Sequence, residues 1–397
     1  MIVQTIMESN LICNQINKYL NYLDKDAWEK YTGISQWNMT NNSYEPMEAV
    51  KKREIRLALN ICTYHRNEYV RNNVRQLLGS RFFDKKETEY YGKLHIFITD
   101  NGSELDAFDH EFVHLTYNSN TGGAGGFQKG LESIRASGIS FTNVIFMDDD
   151  VSFLDESFYR LFGLLTYMKE EYWENVIAGR MFRKDKPWVQ YTAAEIWNGG
   201  NLRHIGLEMD MSDAFFDEKL VNDCDGAEYS GWWFACFPAS FCMKNDIIPF
   251  FIHCDDVEYG LRLGKEPIIL NGIQVWHETY EYRQMKWMLY YDNRNSMIVN
   301  EKYNCLPCLQ EVLEQWKQKI TEYHVRQDWL SEYYVIKAMN DFLKGMSWLQ
   351  KVNAERLHVR LVNTRSSRLK NAIAWRIVQW KLKRRKSSCE WHSTIFL

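Results

Sequence analysis

The chain has 397 residues, 45% hydrophobic and 25% charged, with a formal net charge of −4. It is long enough to bury one large core with additions, its balance is that of a folded globular protein, and no global basic field points to nucleic acid. No run reaches the ~18 apolar residues of a membrane span, no basic-then-apolar leader is seen, and the 9 cysteines show no disulfide framework, so a reducing, cytoplasmic setting is expected.

Residues 1–54 read as a polar, Asn-rich N-terminal extension, with a short helix over Leu11–Leu23. Arg56–Thr63 is the first strong strand. It ends in the polar set Thr63, Tyr64, His65 and Arg66, and helical spacing follows over Tyr69–Leu78. Strand, polar turn and helix form the opening of a nucleotide-binding unit, in which Arg66 meets either a phosphate or solvent. Leu94–Thr99 is a second strand, closed by the turn signal Asp100-Asn101-Gly102. Asp100 there either makes the turn or accepts hydrogen bonds from a nucleoside.

The third strand, Phe112–Tyr117, runs into a loop with Asn120, Gly122, Gly123, Gly125 and Gly126, and a helix is expected over Phe127–Ser137. Such glycines expose backbone N–H groups beside a helix N-terminus that favours anions. The spacing is neither GxGxxG nor GxxxxGK[ST].

The apolar run Val144–Met147 stops at Asp148, Asp149 and Asp150. Three acids cannot sit in a core without partners, and the carboxyl edge of an open parallel sheet is where ligands bind. Asp148 and Asp150 point the same way on an extended chain and suit Mg²⁺ or Mn²⁺; the alternative is an acidic helix start. A helix over Ser157–Met168 and strands over Val176–Met181 and Trp188–Ile196 follow, then an acidic loop at Asp210–Asp225. The adjacent Trp232 and Trp233 read as a strand with one indole in the core and the other facing a groove as a sugar platform, or as two core residues.

Pro249–Ile252 is strand-like and leads through His253 to Asp255 and Asp256, which open a short helix. These two acids supply a helix cap, a general base, or one of each. Ile268–Leu270 and Ile273–Val275 read as strands around Asn271-Gly272, ending at His277, a further metal-ligand candidate. Cys305 and Cys308 form a lone CxxC without a second pair. From residue 283 the pattern is helical: Tyr282–Asn300, Cys308–Tyr323 and Trp329–Leu349. Lys351–Lys386 then holds twelve Lys/Arg against one acid, interleaved with Trp375 and Trp380. A basic helix carrying tryptophans fits an anionic membrane surface, or else is a solvated tail.

The ordered set of Thr63 and Arg66, Asp100-Asn-Gly, the glycine loop, three Asp, Trp-Trp, Asp-Asp-Val-Glu-Tyr-Gly and Trp-His-Glu resembles family 2 glycosyltransferases of the GT-A fold over about residues 55–300. Within them it is most similar to bacterial galactofuranosyltransferases. The resemblance implies an α/β fold, Rossmann-like with a mixed central sheet, over residues 55–282, followed by a helical C-terminal region. It implies Mn²⁺ or Mg²⁺ on Asp148, Asp150 and His277. The nucleotide sugar, expected to be a UDP-sugar, would lie along Thr63, Arg66, Asp100, Asn120, Gly122, Gly123, Gly125, Gly126, Asp148, Asp149 and Arg180. Asp256 would be the base. Trp232, Trp233, His253 and Asp255 would handle a saccharide or lipid-linked acceptor. The setting implied is peripheral, on the inner face of the plasma membrane, and the sequence leaves room for an oligomer. Tyr290–Asn295 also resembles a stretch of rhamnosyltransferases, so dTDP-rhamnose stays open as donor. A nucleotidyltransferase and a non-catalytic carbohydrate-binding protein are the rivals.

Overall fold

The computed structural model describes residues 12–38, 44–47, 49–198, 201–279, 285–305 and 309–386. Its frame is a mixed sheet of ten strands. The longer ones are β1 (Leu57–Thr63), β2 (Leu94–Asp100), β3 (Val113–Tyr117), β4 (Asn143–Asp148), β5 (Ile177–Arg183), β6 (Val189–Thr192), β7 (Ala235–Pro238) and β8 (Ile268–His277). β4, β1, β2 and β3 run parallel in that order, and β7 lies antiparallel between β4 and β5. β8 runs parallel to β5, so the carboxyl ends of β4 and β8 reach the same edge.

β1 shows why both faces are covered. Leu57, Leu59 and Ile61 enter one core while Ala58 enters the other, the period-two alternation of a strand between two layers. The first core takes Val70, Val74 and Leu77 of α3 (Asn67–Leu78) and Phe158, Leu161 and Leu165 of α5 (Asp155–Tyr167). The second takes Phe127, Leu131 and Ile134 of α4 (Gly122–Ala136) and Val257 and Tyr259 of α6 (Asp255–Leu263). It extends into α7 (Met288–Lys302), α8 (Leu309–Val325), α9 (Trp329–Phe342), α10 (Met346–Lys351) and α12 (Arg368–Lys386), while α11 (Ala354–Val362) joins a smaller cluster through Leu357 and Leu361.

The N-terminal segment is bound to the sheet. α1 (Asn17–Asn21) buries Tyr19 against Phe182, and Asn271 Nδ2 donates to the Tyr19 carbonyl. α2 (Lys25–Thr32) buries Trp28, stacked on Tyr44, in the first core.

Several elements differ from the sequence reading. The glycines are no loop: they form the first turns of α4, which starts at Gly122. A Cβ on Gly126 would stand 2.0 Å from Cys62 Sγ, and one on Gly130 1.9 Å from Asn60 Oδ1. Close packing on β1 therefore outweighs the poor helix propensity of glycine. Trp188–Ile196 divides into β6 and a strand, Glu195–Asn198, that pairs with Asn201–His204. Trp232 and Trp233 sit in a turn before β7, and Pro249–Ile252 is irregular. Ile268–Val275 is one bulged strand, with Gly272 at φ +80° beneath the Arg160 guanidinium. Trp329–Leu349 divides before Gly345, and the basic segment divides into α11 and α12. Cys308 and Tyr282 lie outside the described residues.

Gly130→Ala is expected to destabilise the fold by about 1–3 kcal/mol, the cost of overpacking a filled core. Its thermal midpoint should fall by several degrees in calorimetry, whereas Gly138→Ala, with open space where its Cβ would stand but a φ of +70°, reports backbone strain alone.

Candidate active site

β4 ends at Asp148, and the next two residues turn away from the sheet. Asp149 and Asp150 are 5% and 4% exposed, so each needs a partner. Asp149 accepts from the Thr63 hydroxyl at 2.6 Å and from Arg66 Nη1 at 3.0 Å. Arg66 Nη1 also stands 2.8 Å from Asp150 Oδ2. Asn73 of α3 ties the turn from below, donating to the Asp149 and Val151 carbonyls at 3.0 and 3.1 Å. Lys184 donates to the Asp150 carbonyl and lies over the Tyr69 ring.

His277, at the end of β8, completes the cluster. Its Nε2 lies 3.0 Å from Asp150 Oδ1 and 3.7 Å from Asp148 Oδ2. Its Nδ1 is 2.7 Å from the Glu278 carbonyl and donates to it, so Nε2 is the nitrogen that faces the carboxylates, where a metal ion would take the place of its proton. One imidazole nitrogen and two carboxylate oxygens then converge, all within 4.8 Å of one another. A convergence of acceptors fits a divalent cation, as two carboxylates and an imidazole do by ligand type. The Asp149 carboxyl is pushed up to about 6, first by burial and then by the Asp150 charge, with Arg66 and Thr63 opposing. Asp148 is raised by burial, with His277 and Asp150 acting in opposite senses.

The second group of acids opens α6. Burial pushes Asp255 up to about 6, and it drives Asp256 well above the ordinary carboxylate range, with the charges of Asp255 and Glu195 adding to it. Asp148 and Asp256 sense each other electrostatically, and the Cys62 thiol at the end of β1 is raised by burial and by Asp149, Asp148 and Asp255 together. Cys62 pairs in register with Asp148, Gly126 of α4 packs on Cys62, and a Cβ on Gly123 would stand 3.9 Å from Asp255 Oδ2, so the two groups lie near each other beside the first turns of α4. Asp256 Oδ1 accepts from the Val257 amide at 2.8 Å. His253 pairs through Nδ1 with Asp292; burial works against its charge, but the Asp292 carboxylate outweighs it and the pKa rises.

Other sequence candidates take structural roles. Asp100 is fully buried and accepts from the Gly102, Glu104 and Leu105 amides at 2.8, 2.6 and 2.8 Å, so the turn reading replaces the nucleoside contact. Arg180, expected to bind nucleotide sugar, is buried within β5 and donates to Gln190 Oε1 and the Val221 carbonyl, both at 2.8 Å. Trp232 and Trp233 are 4% and 2% exposed, so neither offers a sugar platform. Trp232 stacks on Phe146 and meets Phe127 and Tyr259 edge-on in the second core, and Trp233 Nε1 donates to the Gly179 carbonyl at 2.7 Å. Asn120 Oδ1 accepts from the Gly122 amide at 3.0 Å. Gly122 and Gly125 are explained by crowding against Phe251 and Thr121, whereas a Cβ on Gly123 would have only Asp255 Oδ2 nearby, at 3.9 Å. Asn73 and Lys184 were missed by the sequence reading; a polar Asn73 among Val70, Val74 and Leu77 on the apolar face of α3 was the available signal.

Removing one ligand of the triad should weaken Mn²⁺ uptake by more than about tenfold. Titration of Asp150→Ala and His277→Ala with Mn²⁺, read by electron paramagnetic resonance of the free ion, checks this; affinity equal to that of the unsubstituted chain counts against the triad.

Residues 59–219 match the family model for Glycosyl transferase family 2. That span contains the three Asp and the glycine helix, while Asp255, Asp256 and His277 lie beyond it. Galactofuranosyltransferase GlfT2 of Mycolicibacterium smegmatis is 24% identical over 244 residues, covering 57% of this chain and 37% of its own length. The protein of the same description from Mycobacterium tuberculosis is 25% identical over 248 residues, covering 57% of this chain and 38% of its own. The chain thus spans little more than a third of the length of these relatives. Among solved structures, the mannosyltransferase PcManGT from Pyrobaculum calidifontis, in complex with GDP-Man and Mn²⁺, aligns with a TM-score of 0.39 at 10% identity, covering 88% of this chain and 92% of that one. GalNAc-T7 with UDP, GalNAc and Mn²⁺ aligns with a TM-score of 0.44 at 10% identity, covering 85% and 65%. Residues 59–219 thus resemble family 2 glycosyltransferases, and the chain is similar to the galactofuranosyltransferases over a little more than half of its length.

Proposed function

We propose that this protein is an inverting, metal-dependent transferase that moves a hexose, best matched by galactofuranose from UDP-galactofuranose, onto a saccharide or lipid-linked saccharide in cell-surface polysaccharide synthesis. The observation that carries the chemistry is the convergence of Asp148, Asp150 and His277, with the Asp255, Asp256 pair nearby beside the first turns of α4. The donor sugar rests on the likeness to galactofuranosyltransferases.

Asp148, Asp150 and His277 would hold a divalent ion, which would supply positive charge to the departing diphosphate. Arg66, between Asp149 and Asp150, lies where it can turn a guanidinium toward the same phosphates. Asp256 accepts the proton of an acceptor hydroxyl as that oxygen bonds to the anomeric carbon. The bond from that carbon to the diphosphate oxygen breaks on the opposite face, and nucleoside diphosphate leaves. One displacement inverts the centre. The raised pKa values of Asp255 and Asp256 mean that the pair takes up protons above the ordinary carboxylate range, so the rate falls on the acid side as the base is lost.

Asp256→Asn should keep donor affinity and lose about 10²–10⁴-fold in kcat, the contribution of a positioned base. A donor screen with metal, reading nucleoside diphosphate release, tests the reaction class as well: release of pyrophosphate instead would mark a nucleotidyltransferase. An active Asp256→Asn beside a dead Asp255→Asn would move the base to the neighbouring carboxylate.

The acceptor is read as membrane-borne because α12 presents a basic, apolar face. No helix among the described residues is long and apolar enough to cross a membrane. Val378 and Asn371 bury one side of α12 in the fold, while Leu369, Ile373, Ile377 and Trp380 remain 72%, 54%, 48% and 56% exposed on another. Arg368–Lys386 carries eight Lys/Arg and no acid. Each such charge near an anionic bilayer contributes about 1 kcal/mol, and the apolar row adds burial at the interface. Ile373→Ser with Ile377→Ser should leave the fold intact and reduce co-sedimentation with phosphatidylglycerol vesicles, with little binding of either protein to phosphatidylcholine. Equal sedimentation of both proteins with anionic vesicles returns α12 to a solvated helix.

A further inference from the structure

The loop Phe250–Cys254 delivers Asp255 and Asp256, and it holds a conformation that side chains resist. Phe251, His253 and Cys254 have φ of +77°, +64° and +66°, in the left-handed region that favours glycine. Three such residues in four positions persist only where the surroundings over-determine them.

The fastening comes from α7. Asn295 Nδ2 donates to the Ile252 and His253 carbonyls at 2.8 and 2.9 Å, with the Phe250 carbonyl at 3.4 Å. Arg294 Nη2 donates to the Phe250 carbonyl at 2.7 Å. Arg294 is itself fixed, through Nε to Asn295 Oδ1 at 2.8 Å and through Nη1 to the Tyr290 hydroxyl at 3.0 Å. Both side chains are buried, at 0% and 1% exposure. From the opposite side the Ala124 amide of α4 donates to the Phe251 carbonyl at 3.2 Å, and a Cβ on Gly122 would stand 2.1 Å from that oxygen. Four successive carbonyls are thus held, three by α7 and one by the glycine helix.

We propose that Asn295, supported by Arg294, is a positioning residue for the proton acceptor: it clamps the strained loop so that the first turn of α6 presents its carboxylates beside the first turns of α4. This deepens the transferase reading and rests on Asp256 as base. Without the Nδ2 donors, residues 251–254 have lower-energy backbone regions to relax into, and Asp256 moves with them.

The test is a double-mutant cycle of Asn295→Ala and Asp256→Asn in the full chain, reading kcat and counting nucleoside diphosphate sites per chain with Mn²⁺. Asn295→Ala is expected to lower kcat about ten- to a hundredfold, as a misplacement of about 1 Å does, with donor KM and site count unchanged. In the Asp256→Asn background it should cause no further loss, because it acts through that carboxylate. A merely structural role lowers both backgrounds by the same factor; that result, or an unchanged kcat in Asn295→Ala, overturns the clamp. Loss of fold in both Asn295→Ala and the isosteric Asn295→Asp overturns it too. If Asp256→Asn keeps its full rate, the base assignment fails instead, and the same cycle in an Asp255→Asn background decides the clamp.

Discussion

The structure depends on keeping concentrated negative charge at one edge of a sheet. Asp148, Asp149, Asp150, Asp255 and Asp256 gather beside the first turns of α4, and burial raises the pKa of every one of them whose shift is resolved. Two unit charges 4 Å apart interact by about 4 kcal/mol at an effective dielectric of 20, so such a cluster repels itself strongly unless cations answer it. Arg66 bridges Asp149 and Asp150, and His277 turns a nitrogen toward Asp148 and Asp150. The apolar part of β4, fully buried from Val144 to Met147, anchors the acids against that repulsion. A cluster held this way is poised to take up a divalent cation, because the ion relieves repulsion that the fold already tolerates.

The sequence shows this edge because the signal is local. An apolar run that stops at three acids has few stable placements, and a parallel sheet puts such a run at its ligand edge. The parallel strands and the helices around them were legible for the same reason. What was not legible depended on distance. Four glycines in five residues read as a loop because propensity is a local property, while the reason for them is the approach of α4 to Cys62 and Asn60 on β1, some sixty residues earlier in the chain. Asp100, Arg180, Trp232 and Trp233 carry the chemistry of a binding site in their side chains. Their use is fixed by backbone amides, a Gln190 side chain and ring neighbours that no linear pattern reveals.

The C-terminal helices belong to the same argument. α7 holds the loop before α6 through Arg294 and Asn295, and Tyr290 on α7 donates to Asp341 of α9 at 2.9 Å. Asp341 is buried and paired with Lys337 and Lys344, which draw its carboxyl below the ordinary range against the cost of burial. A chain of charge-assisted contacts therefore runs from the helical region to the backbone beside Asp255. A buried charge with its partners has one good geometry, which apolar packing alone does not impose so narrowly. The helical region then sets the position of the second carboxylate group as firmly as the sheet sets the first.

The separation between the two groups is controlled by α4, which touches both. Its first turn receives the Phe251 carbonyl at Ala124, and Gly123 faces Asp255 Oδ2. One turn later Gly126 rests on Cys62, the residue before Thr63, whose hydroxyl holds Asp149. Any side chain at Gly122 or Gly126 would push α4 off the loop before α6 or off β1. In either case the distance between the two carboxylate groups would change. In the transfer proposed above, that distance must match the span of the reacting atoms. The glycines of α4 thus act as spacers of the site, a role that backbone amides aimed at a phosphate would not require of Gly126 or Gly130.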